Sequence, residues 1–153
     1  MRKNRIRVLT IALILLCATT LSASTPFLQG VVGGIELCPK FICGVAIFVG
    51  EFRGTLGSNP FARGIISTAM DHEELPPANG NAAIIGGSWE IKTLFRRVGG
   101  DVISGNIHNN NDDGTFGVTA TLELDPPGSG QVHFVGTLSH NTTIPTFGGF
   151  VLQ

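Results

Sequence analysis

The sequence predicts an all-β protein, a single antiparallel up-and-down barrel of about eight strands behind an N-terminal export signal. Three features predict it. Several stretches alternate apolar and polar residues with a period of two, as half-buried strands do. Turn-forming residues interrupt the chain at short intervals, and no helical period holds over a useful window after residue 25. All 21 glycines and all 8 prolines also lie after residue 25, a density that opposes long helices.

The chain opens on Arg2, Lys3, Arg5 and Arg7 with no acid among them. An apolar run, Ile6 to Ala18, follows and is broken only by Arg7 and Thr10; Thr19 to Ser24 are then small and polar apart from Leu21. This is the order of a secretory signal, with Ser22-Ala23-Ser24 offering small residues to the peptidase. Residues 1–24 are therefore read as a cleavable signal and residues 25–153 as one all-β domain, exported to a periplasmic or extracellular space. The apolar run is shorter than the roughly 20 residues of a spanning helix, so no membrane span is expected after cleavage. An uncleaved anchor is the alternative. A lipoprotein is disfavoured because Leu16 precedes Cys17 where a small residue is wanted.

The first two expected strands, 28–37 and 43–56, flank Cys38-Pro39-Lys40-Phe41-Ile42-Cys43. In an exported chain this even pair reads as a disulfide, Cys38 to Cys43, stapling a hairpin across a four-residue turn. The second strand is long and is expected to bend or bulge at Gly50 or Gly54. The third, 62–72, lies between the turn signals Ser58-Asn59-Pro60 and Pro76-Pro77. In the fourth, 82–95, Trp89, Ile91 and Thr93 alternate with Ser88, Glu90 and Lys92. Gly99-Gly100 and Asn109–Gly114 bound the fifth, 100–108. The sixth, 115–124, sets Val118, Ala120, Leu122 and Leu124 against Thr119, Thr121 and Glu123. The seventh, 131–140, sets Val132, Phe134, Gly136 and Leu138 against Gln131, His133, Thr137 and Ser139. The eighth, 147–152, follows Pro145.

Gly54-Thr55-Leu56, Gly105-Asn106-Ile107 and Gly136-Thr137-Leu138 repeat one pattern near strand ends, where glycine lets a strand coil tightly. Short sequential connections favour a meander, and eight strands can close; a two-sheet sandwich is the alternative. In architecture alone the pattern resembles small secreted barrels of the lipocalin or allene-oxide-cyclase kind, and no motif carries an activity across. An outer-membrane barrel is disfavoured, since the chain has no Tyr and one Trp and its clearest strands carry a polar face.

Ten Lys and Arg oppose eleven Asp and Glu, and four of the ten precede residue 8. The remainder carries a formal charge of −5, with Arg96-Arg97 its only adjacent basic pair. That balance speaks against nucleic acid and against an anionic membrane surface as partners.

No nucleophile elbow, phosphate loop or dinucleotide fingerprint is present, and His72-Glu73-Glu74-Leu75-Pro76 is not a zinc-protease motif. Asn109–Gly114 matches half of a calcium loop, but Ala120 stands where its bidentate Glu belongs, so a polar turn is expected. Asn141-Thr142-Thr143 has the form of a glycosylation sequon. The histidines carry the only candidate chemistry. In a meander His72, His108 and His140 close the third, fifth and seventh strands and so share one rim, with Asp71, Glu73, Glu74, Asp112 and Asp113. Such a set is a candidate for Zn²⁺ or for an acid–base pair, whereas His133 is expected to be solvated. Trp89, Phe134 and His140 are the candidate ligand contacts. The expected function is non-enzymatic binding of a small, mostly apolar ligand or a surface partner, without a cofactor. The alternatives are a barrel isomerase, cyclase or metal-assisted hydrolase, and a structural or adhesive module.

Overall fold

A computed structural model describes residues 27–109, 113–126 and 129–153; the export signal expected at residues 1–24 lies outside them. Eight strands follow in order: β1 (Leu28–Cys38), β2 (Ala46–Leu56), β3 (Asn59–His72), β4 (Asn81–Thr93), β5 (Arg97–Asn109), β6 (Thr115–Glu123), β7 (Gln131–Ser139) and β8 (Thr146–Leu152). Each pairs antiparallel with the next, and β8 returns to β1, so the sheet is a closed barrel. The sandwich alternative is thereby set aside.

The period-two pattern decides which face is inside. Val32, Phe48, Phe52, Ile66, Trp89, Ile91, Val118, Leu122, Val132 and Val151 are all buried in one core, while the residues between them along the strands face out. Inward glycines pair across neighbouring strands at Gly30–Gly54 and Gly136–Gly149. At Gly149 a Cβ would meet the Phe134 ring at 2.6 Å. The pair thus forms a floor on which that ring rests, shielding otherwise bare backbone.

Two local differences from the expected pattern have physical causes. Between Cys38 and Cys43, which form the expected disulfide, the chain makes one helical turn, α1 (Lys40–Cys43). Gly44 ends it at φ 78°, donating its N–H to the Lys40 carbonyl, and β2 starts three residues later than expected. The β2–β3 register shifts beside Gly54, but the extra residue there belongs to β3, where Pro60 and Phe61 together oppose Thr55, so the bulge expected of the second strand lies in its partner.

The β4–β5 ladder also parts in its middle. It runs to Ile84–Gly105, resumes at Ser88–Asp101 in the same register, and leaves Ile85–Gly87 and Val102–Ser104 unpaired with each other. Extra residues cause this: β4 bulges against β3 at Ile85, and β5 bulges against β6 at Ile103.

Candidate functional site

The interior keeps an apolar cavity of about 60 Å³. A single water needs roughly 10–15 Å³ on this scale, so the space suits a guest of about four to six water-sized groups. Trp89 and Phe134 both line it, together with Met70, Val118, Ala120 and Leu122. Trp89 is buried, and its indole N–H donates to the Glu123 carbonyl at 3.0 Å, which fixes the ring as part of the wall. A larger concavity, about 1130 Å³, lies open to solvent on the outer side of β2–β5 and the adjoining rim, with a mixed wall including Ser67, Ser88, Glu90 and Arg97. It does not enclose a guest.

His72 lines the interior cavity at the rim where α1 sits. It is buried, and its Nδ1 lies 2.5 Å from the Glu73 carbonyl. At the same rim, one step beyond the paired rows Ile35–Thr146 and Ser139–Thr146, Glu36 and His140 meet across the start of β8. Their Oε2 and Nε2 atoms are 3.2 Å apart. Only 4% of the Glu36 side chain is exposed, and among the described residues neither atom has a hydrogen-bond partner. The backbone holds both in place, since Glu36 N–H donates to the Pro145 carbonyl and His140 N–H to that of Gly114. The Phe116 ring meets the imidazole edge-on at 5.6 Å.

Burial pushes the Glu36 carboxyl above its ordinary value, because the charged form loses water there. His140, and more weakly His72, pull it back down. A carboxyl poised in this way, beside an imidazole, can donate or accept a proton or bind a polar group presented at the mouth.

The three histidines expected at one rim do lie there, but they do not converge. His108 points outward between the buried Ile107 and Asn109, and its Nδ1 sits 2.7 Å from Asn81 Oδ1. Among the described residues no group of three or more His, Cys, Asp and Glu is placed to hold a metal ion. His133 is exposed. Asn109, first of the half calcium loop, is buried and donates to the Pro76 carbonyl at 3.0 Å; Asn110–Asp112 lie outside the described residues.

No known protein family, curated protein or solved structure matches the chain. The site therefore rests on its own geometry. Glu36 is the residue that inspection of the sequence missed. Its signal was the parity of β1, where Leu28, Val32 and Glu36 share the inward face.

Proposed function

We propose that this is an exported, periplasmic or extracellular barrel that binds a small, mostly apolar ligand in its interior, with Glu36 and His140 meeting the ligand's polar end. The observation that supports the reading is the apolar cavity with this buried, mutually dependent pair at the same rim. Sites for small molecules combine such walls with a few placed polar groups. Trp89 and Phe134 line the cavity, His140 stands outside its lining and would meet the ligand only at the rim, and no metal enters the reading.

The only tryptophan of the chain stands in the cavity wall, so its fluorescence reports occupancy. Titration with n-hexanol or cyclohexanone is expected to give a saturable change in Trp89 emission. Ala120→Leu, which fills the space, is expected to weaken it at least tenfold while leaving the strand-dominated circular dichroism intact. A linear, non-saturating response in both proteins would remove the ligand reading. Export has its own check: protein recovered from the host envelope or medium should begin near Thr25, and an N-terminus still at Met1 would overturn it.

The raised Glu36 carboxyl favours a second reading, proton transfer next to a carbonyl. The carboxylate would take an α-proton from a bound ketone and solvent would return one to carbon. Cyclohexanone in D₂O would then gain deuterium faster with the protein than without it, and Glu36→Gln would abolish the difference. Equal rates would leave binding alone.

A further inference from the structure

The end of the barrel opposite the histidine rim carries a surface that the linear sequence does not display. Here the β2–β3 and β4–β5 hairpins turn, and their tips expose Phe61 at 87%, Leu94 at 87% and Phe95 at 91% of their surface. Isolated exposed apolar residues are ordinary, but three nearly bare ones on adjacent hairpin tips are not. The last paired row of β3 and β4 is Gly64–Thr93, so Arg63 and Leu94 leave the ladder side by side.

Five of the six basic residues beyond the export signal gather around these tips. Arg53 and Arg63 are direct partners across β2–β3, and Lys92 and Arg97 across β4–β5. Arg96 lies in the β4–β5 turn, its guanidinium 5.0 Å from the centre of the Phe27 ring. Glu51 and Glu90 pair with Arg53 and Arg97, one step farther from the rim. Arg63 and Lys92 have no acidic partner among the described residues and are exposed. The remaining acids near this end are Asp101 and Asp125, which line the same outer concavity as Arg96 and Arg97, and Glu123 at the close of β6; Arg63, on β3, lies on the other side of the tips from them. The chain enters the barrel at this end, through Phe27 into β1.

From this placement we propose that the β2–β5 end docks on an anionic lipid surface, with Phe61, Leu94 and Phe95 entering the headgroup layer and Arg53, Arg63, Lys92 and Arg96 facing the phosphates. The formal charge of −5 speaks against such contact only when spread evenly, and here five of the six basic residues beyond residue 24 gather at the β2–β5 half of one end. Aromatic and aliphatic tips ringed by cations combine the two forces that hold proteins at a membrane interface. Docking tilts the barrel so that the Glu36–His140 rim faces away from the lipid.

The test is sedimentation of the protein, purified as the host delivers it, with phosphatidylcholine vesicles with and without phosphatidylglycerol. Binding is expected only with the anionic lipid and is expected to fall with added salt. Arg63→Glu with Lys92→Glu should cut it by about tenfold or more, given the attraction each cation contributes at such a surface. Phe61→Ser with Phe95→Ser should remove the salt-resistant remainder. Circular dichroism identifies any variant that fails to fold, and Lys40→Glu, at the opposite rim, should leave binding unchanged. Equal binding to both vesicle types, no binding to either, or indifference to the charge reversals would overturn the proposal. Capture of duplex DNA by the same residues without vesicle binding would overturn it too.

Discussion

Glu36 and Asp71, two carboxyls of one rim, answer to pH in opposite senses. Burial raises the Glu36 carboxyl above its ordinary 4.5, so the folded state holds that proton more tightly than the unfolded chain. The stability this group contributes is full below pH 4.5 and declines as pH rises through the raised value. Asp71 works in the opposite sense. A hydrogen bond from Lys40 lowers its carboxyl below the ordinary 3.8, so its contribution is present above that value and is lost as pH falls through the lowered one. His140→Ala is therefore expected to destabilise the barrel by about 3 kcal/mol near neutrality, where it strands a buried carboxylate. Thermal melts should show that loss shrinking toward pH 4 as Glu36 protonates, and Glu36→Gln in the same chain should rescue most of it. A loss independent of pH would show that the imidazole acts by packing alone. The pair was half legible in the sequence: His140 stood out by type and position, whereas Glu36 looked like one acid among eleven. Only strand parity together with the β1–β8 closure sets it inside.

Elements were easier to read than residues because each strand carries its own alternation. β6 and β7 display theirs without exception on the core side, and the expected bounds differ from the observed ones there by a single residue. The helical turn α1 was hidden because four residues are too few for any period, and because the disulfide rather than an apolar face closes it. Replacing both Cys38 and Cys43 by serine is expected to cost about 2 kcal/mol in a denaturant titration, the value for so short a loop. Mass spectrometry of unreduced protein should find the two linked. The parted middle of β4 and β5 was equally invisible, since Ile85 and Ile103 extend the apolar runs that mark the strands. Ile85 and Ile103 are paired on neither side, so their amides should exchange with deuterium faster than those of the paired rows around them. Uniform protection along β4 would show the ladder to be continuous in solution.

At the scale of the whole molecule the decisive contact is the pairing of Gln29 with Leu152, which joins the two ends of the sheet. Nothing in the local pattern distinguishes a closed meander from an open one, so closure was legible only through strand number and short connections. The shared rim of the histidines followed from the meander, but the Glu36–His140 contact and the gathering of basic residues at the other end were illegible for the same reason. His140 had no visible neighbour 104 positions away in the sequence, and Arg53 and Arg63 became partners only through a register. Deleting residues 146–153 is expected to abolish cooperative unfolding, because it strips β1 and β7 of a neighbour at once and opens the Val132–Val151 core. A truncated protein that still melted sharply would show closure to be ornamental. The closed ladder has a further bearing on time. Every strand already holds two neighbours, so a second molecule can add a strand only after one has been released. Association through the sheet must wait on unfolding, whatever the concentration. The exposed apolar row of Val135, Phe150 and Val31 across β7, β8 and β1 can thus touch other molecules without seeding a shared sheet. The shelf life of this barrel in a crowded compartment is set by its own opening clock.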